Sequence, residues 1–142
     1  MPDRSLTGAE SRPVTVLCVD DDRDSRKLLD AILGHEGRYV VLLADSGRSG
    51  LSAARRSAPD MILLDLDLPD LHGTRVAAEL RADERTSGIP LVGVSATSNP
   101  HPGWVKRSGL DGFVRKPIED IPAFLETLER VLQPNRGQPE AP

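Results

Sequence analysis

A chain of 142 residues lies within the usual span of one domain, about 100–200 residues, and can bury roughly two thirds of its unfolded surface. With 22 acidic against 18 basic residues spread along its length and a net charge of -4, it has no Lys/Arg block to grip a phosphate backbone, which argues against nucleic acid as a partner. No apolar stretch approaches the roughly 18 residues of a membrane span, MPDRSLTGAESR has neither an h-region nor a cleavage pattern, and the single cysteine, Cys18, sits inside an apolar run. A cytoplasmic, membrane-free protein with a reduced core thiol is the expectation.

Residues 1–12 and 134–142 are polar and rich in Pro and Gly, so disordered tails are expected around one domain over 13–133. The first apolar run, VTVLCV (β1, Val14–Val19), is followed by a helix-period stretch (α1, Asp24–Leu33) with Leu28, Leu29, Ile32 and Leu33 on one face and Gly34 and Gly37 as stops. Next come β2 (Tyr39–Ala44), α2 (Gly47–Ala58), β3 (Met61–Asp65), α3 (Thr74–Arg81) and β4 (Ile89–Ser95). The segment SNPHPGWVKRSG carries Pro100, Pro102 and Gly103, so α4 can start only near Gly103 and has about two turns before Gly109. Then follow β5 (Gly112–Arg115) and α5 (Ile121–Leu132), with Asp120 as N-cap and Pro122 in the first turn. Runs of four to six residues, apolar at nearly every position, indicate strands covered on both faces by helices: a parallel α/β sheet.

In a doubly wound fold, right-handed crossovers bring the loops after the strands to one carboxyl edge. Asp20, Asp21 and Asp22 follow β1, Asp65 and Asp67 flank the end of β3, Ser95 ends β4, and Lys116 follows β5. Carboxylates within about 4–6 Å raise one another's pKa unless a cation neutralises them, and hard oxygens suit Mg²⁺. Magnesium takes one or two carboxylates plus a phosphate, which leaves a carboxylate free to attack phosphorus. Asp65, ending the central run MILLD, is the best placed nucleophile; Lys116 can neutralise one phosphoryl oxygen and Ser95 can donate to another.

Blander roles fit several of these residues. Asp20–Asp22 taken alone reads equally well as an N-cap cluster, and Asp22 reads better as a cap than as a metal ligand. His35, His72 and His101 have no mutual spacing suited to a metal and read as surface residues. Trp104 reads as a packing residue of a stunted helix, and Arg55–Arg56 as a solvated face.

With these residues in order, the chain resembles the response-regulator receiver domains of two-component signalling, single-domain and CheY-like, over about Pro13 to Leu132. The match is carried by VDDD with Asp20 and Asp21, by LLDLDLPDLHG with Asp65, Pro69 and Gly73, by Ser95–Ala96, and by Lys116–Pro117. The resemblance implies a flavodoxin-like fold with a five-stranded parallel sheet in the order 2-1-3-4-5 and five helices. It implies Asp65 as phosphoacceptor, a Mg²⁺ site (Mn²⁺ also) with Asp21 and Asp65 as direct ligands, Asp20 acting through water, and the backbone carbonyl of Asp67. It further implies a switch in which the Ser95 hydroxyl turns toward the phosphoryl group and Phe113 swings inward, and a cis peptide at Lys116–Pro117; sequence alone favours trans there.

Such a domain is not an enzyme in the ordinary sense, although it assists its own phosphorylation and dephosphorylation. The implied partners are a histidine kinase or histidine phosphotransfer protein and a downstream protein on the α4-β5-α5 face, which the short α4 should make unlike that of DNA-binding regulators. Asp67 and Thr97 occupy positions where family members vary, and their roles stay open. Two alternatives remain. A haloacid-dehalogenase-like phosphatase would use Asp65 and Asp67 as a DxD pair, but such enzymes carry that pair after the first strand and usually add a cap. A docking-only pseudo-receiver would not need the intact acidic set.

Overall fold

The computed structural model describes residues 12–96 and 102–133. The two expected tails, apart from Arg12, lie outside those residues, as do Thr97 and His101. Five strands form one parallel sheet: β1 (Val14–Val19), β2 (Tyr39–Ala44), β3 (Met61–Asp65), β4 (Leu91–Ser95) and β5 (Gly112–Arg115), in the order β2-β1-β3-β4-β5. The helices among the described residues are α1 (Arg23–His35), α2 (Gly47–Ser57), α3 (Gly73–Ala82), α4 (Pro102–Arg107) and α5 (Ile121–Leu132).

The strands lack polar alternation because consecutive residues feed opposite cores. Leu17 and Val19 of β1, Ile62 and Leu64 of β3, and Leu91 of β4 join one cluster with Leu51 and Ala54 of α2 and with Val76, Ala77 and Leu80 of α3. Val16 and Cys18, Met61 and Leu63, and Val92 and Val94 join the other, with Leu29, Ile32 and Leu33 of α1 and Phe124, Leu128 and Val131 of α5. Each fully buried Leu or Ile contributes about 1.5–3 kcal/mol, so both sheet faces hold the strand ends in place.

Several boundaries differ from the sequence reading, each for a local reason. The first helix ends near Gly34 and Gly37 as expected, but it runs through Gly34 to His35, and the chain turns at Gly37, whose φ of 77° only glycine adopts freely. The fourth strand begins at Leu91 and not Ile89, since Pro90 has no N–H for a ladder and the Ile89 N–H closes a turn on the Thr86 carbonyl. In α3 the first residue is Gly73, and the His72 ring nitrogen accepts the Thr74 N–H as an N-cap. Asp120 caps α5 through the Ala123 N–H, with Pro122 in the first turn. Trp104 is half-buried against the α2–α3 core, as a packing residue of a helix of six residues. Arg55 is not merely solvated: its guanidinium pairs with Asp83 at 3.1 Å and Glu79 at 3.9 Å, joining α2 to α3. Arg56 is exposed and bonds Ser52 in its own helix.

Candidate functional site

Asp20 follows β1 directly and its N–H extends the ladder to the Ala44 carbonyl at 3.0 Å. Asp65 is the last residue of β3, in register with Val94 of β4. Both are buried, at 1% and 3% exposure, because the central strands they end are flanked on both sides. Each carboxylate folds back on its own loop: Asp20 Oδ1 accepts the Asp22 N–H at 2.9 Å, and Asp65 Oδ1 accepts the Asp67 N–H at 2.9 Å. These local bonds fix the side chains without using both oxygens.

The second oxygen of each meets the same cation. Lys116 Nζ lies 2.9 Å from Asp20 Oδ2 and 3.3 Å from Asp65 Oδ2. Lys116 directly follows β5; the Lys116–Pro117 peptide is cis, and the Lys116 N–H bonds the Ser95 carbonyl at 2.8 Å. Asp21 is exposed, and one carboxylate oxygen each from Asp20, Asp21 and Asp65 lie within 4.8 Å of one another. One ammonium against three carboxylates leaves an excess of negative charge on a set of hard oxygens, which is the donor chemistry Mg²⁺ prefers.

The electrostatics follow from this placement. Burial pushes the Asp65 carboxyl above the ordinary carboxylate range; the Asp67 N–H and Lys116 oppose that and nearby Asp20 reinforces it. Burial weakens the Lys116 ammonium, but hydrogen bonds and charge from Asp20 and Asp65 outweigh it and hold its pKa above the usual lysine value. The cation therefore persists at neutral pH beside an acidic centre that still needs positive charge.

Asp22 stands apart, capping α1 by accepting from the Asp24 N–H and the Ser25 hydroxyl. His35 and His72 are exposed. Ser95 is 2% exposed, and its hydroxyl donates to Asp67 Oδ2 at 2.9 Å. Phe113 is half-buried against the α2–α3 core, in register with Gly93.

Three contacts escape sequence reasoning. Asp70 accepts the Gly47 and Arg48 N–H groups at 2.8 and 3.0 Å, tying the loop after β3 to the start of α2. Arg26 donates to the Asp20 carbonyl at 2.9 Å and braces the acidic loop from α1. The third is the Asp67–Ser95 bond. All three partners lie at loop or helix-start positions, and only an Asp in the first loop turn after a strand hints at such a tie.

A model of the response regulator receiver domain family matches residues 16–129, and the chain belongs to that family. It is 33% identical over 118 residues to protein PilH of Pseudomonas aeruginosa, covering 82% of this chain and 96% of that one. It is 31% identical over 119 residues to the polar-differentiation response regulator DivK of Brucella ovis, covering 83% and 95%. Chemotaxis protein CheY4 of Vibrio cholerae superposes with a TM-score of 0.77 at 28% identity, over 84% of this chain and 98% of that one. The receiver domain of sensor histidine kinase PA1611 of Pseudomonas aeruginosa, solved with a magnesium ion coordinated in its active-site cleft, superposes at 0.73 with 27% identity, over 89% and 99%. Two-component signalling is thus the setting of this domain, and receiver domains of this kind bind Mg²⁺ at an acidic pocket and interact with histidine kinases and downstream partners. Among the described residues no helix is long and apolar enough to cross a membrane.

Proposed function

We propose that Asp65 accepts a phosphoryl group from a histidine kinase or histidine phosphotransfer protein and that the modified domain changes its affinity for a protein partner or passes the group on. The observation that carries this reading is the bridging of two buried carboxylates, Asp20 and Asp65, by Lys116, with Asp21 completing an oxygen cluster within 4.8 Å. A structural ion pair would need one carboxylate per lysine; this centre holds an uncompensated excess.

In the transfer, one Asp65 oxygen forms the new bond to phosphorus while the donor's P–N or P–O bond breaks, and the departing imidazole or carboxylate keeps the bonding electron pair. Lys116 is placed to leave its contact with Asp65 and follow a phosphoryl oxygen, and Ser95 supplies a hydroxyl donor on the β4 side. Asp20, Asp21, Asp65 and the backbone carbonyl of Asp67 would hold Mg²⁺ (Mn²⁺ also), which when bound neutralises phosphoryl charge. Phe113 lacks a hydroxyl, so its inward state would be favoured by burial alone.

An apolar groove lined by Leu28, Leu29, Val94, Pro117 and Ile118 opens beside Asp20 and Lys116 and suits docking of a phosphodonor protein in the cytoplasm. The α4-β5-α5 face, with α4 only six residues long, is the surface we assign to the downstream partner. The test is chemical trapping: after treatment with acetyl phosphate and Mg²⁺, borohydride reduces an acyl phosphate to the corresponding alcohol. Conversion of Asp65 to homoserine in the peptide containing MILLDLDLPD is the expected result; reduction confined to any other carboxylate overturns the assignment.

A further inference from the structure

In the resting structure the Ser95 hydroxyl is already committed. It donates to Asp67 Oδ2 at 2.9 Å, and at 2% exposure it cannot trade that acceptor for bulk water at no cost. A carboxylate is also a stronger acceptor than a neutral oxygen. The partner is held in place from the other side, since the Asp67 N–H is bonded to Asp65 Oδ1 at 2.9 Å. The ion pairs of Lys116 among the described residues go to Asp20 and Asp65, so the Asp67 side chain faces Ser95 and not the lysine.

A serine hydroxyl has one proton, and it serves one acceptor at a time. We propose that the Asp67 side chain is a positioning residue that latches Ser95 in the unphosphorylated state and competes with the phosphoryl group on Asp65 for its hydroxyl proton. The proposal rests on Asp65 being the phosphoacceptor. The latch joins the loop after β3 to the end of β4, so the domain reaches its switched state only when Ser95 leaves Asp67. Asp67 sets the threshold for activation through its side chain, while its backbone carbonyl remains available to a metal whatever the side chain is.

A state that must first be released binds its ligand more weakly by the fraction of molecules already released. Losing one charge-assisted but partly solvated hydrogen bond therefore tightens binding of a phosphoryl mimic by about three- to tenfold. The probe is beryllofluoride at saturating Mg²⁺, read by calorimetry and by the fluorescence of Trp104. That residue is the single tryptophan and packs against the same core as Phe113.

Wild type, Asp67→Ala, Ser95→Ala and the double variant form a thermodynamic cycle, with Asp67→Asn added because it keeps an acceptor oxygen and loses the charge. The latch requires Asp67→Ala to tighten binding at least about threefold more when Ser95 is present than in the Ser95→Ala background, with Asp67→Asn falling between wild type and Asp67→Ala. Equal tightening in both backgrounds, with Asn matching Ala, reduces Asp67 to simple charge repulsion and overturns the latch. No change on removing Asp67 overturns it as well. A wild type that binds Mg²⁺ but not beryllofluoride overturns the acceptor reading and the latch together, whereas wild-type binding without coupling overturns the latch alone.

Discussion

Gly73 is where the fold and the site constrain each other most tightly. A Cβ built there would lie 2.4 Å from Leu66 Cα, 2.6 Å from Leu66 Cδ2 and 2.8 Å from the Asp65 carbonyl oxygen. Two of the three are backbone atoms of the loop that begins at Asp65, so no side-chain rotation relieves the clash. The same residue closes that loop, its N–H bonding the Leu66 carbonyl at 3.0 Å. Overpacking of this kind costs about 2–4 kcal/mol, since the backbone itself must move. For a domain of this size the melting temperature of Gly73→Ala falls by about 8–16 °C. Gly34 supplies the control. It lies within α1 with nothing inside 4 Å of a built Cβ, so Gly34→Ala gains helix propensity. That change stabilises by about 0.5–1 kcal/mol and raises the melting temperature by about 2–4 °C. Differential scanning calorimetry of the two variants beside wild type is the assay. A Gly73→Ala protein that melts within about 2 °C of wild type would mean the Asp65–Leu66 loop moves outward freely, and would refute the view that close packing of Gly73 on Leu66 holds Asp65 in place.

Cys18 is fully buried and desolvation pushes its thiol up to about 12, so Ellman's reagent at neutral pH should leave it unmodified until the protein is unfolded in denaturant. Tyr39, the single tyrosine, is raised to about 12 by burial and by Glu129, whose carboxylate accepts its hydroxyl at 3.3 Å. Its ultraviolet titration should run well above the value of about 10 that it regains in denaturant. Because the folded value is the higher one, its contribution to stability is complete below the unfolded pKa and is lost as pH rises toward about 12. The Asp65 pKa is likewise raised in the fold, so in the metal-free protein the ionised carboxylate opposes folding once pH passes the folded value. Asp65→Asn should therefore raise the melting temperature in EDTA at neutral pH and reduce the gain on adding Mg²⁺; a lower melting temperature in EDTA would contradict the sign.

The strand ends were legible in the sequence because nearly every position of β1 and β3 faces one core or the other, Thr15 and Asp65 excepted, which leaves short, largely apolar runs. The acidic and basic residues that end those runs were legible for the same reason: a parallel sheet sends all its strand-end loops to one edge. Contacts between loops were not. Asp67 and Ser95 are 28 residues apart, Asp70 and Gly47 are 23 apart, and nothing in either local pattern reports the other. Arg55 was misread similarly, since its partner Asp83 lies 28 residues away at the C-cap of the next helix. The end of α1 near Gly34 and Gly37 was legible, but not which glycine turns the chain: Gly34 stays helical and Gly37 takes the left-handed conformation. The phosphatase alternative shared the Asp65-Leu66-Asp67 spacing, yet that stretch begins at the end of the third strand and not the first, and the second carboxylate faces Ser95.

The proposed role of Asp65 as a metal-dependent phosphoacceptor is decided by intact mass spectrometry after incubation with acetyl phosphate, comparing wild type with Mg²⁺, wild type in EDTA, and Asp65→Asn with Mg²⁺. That role requires gain of a single phosphoryl group in the first sample and in neither of the others. A phosphoryl group on Asp65→Asn, or on wild type in EDTA, would contradict it, as would no gain in folded wild type that binds Mg²⁺.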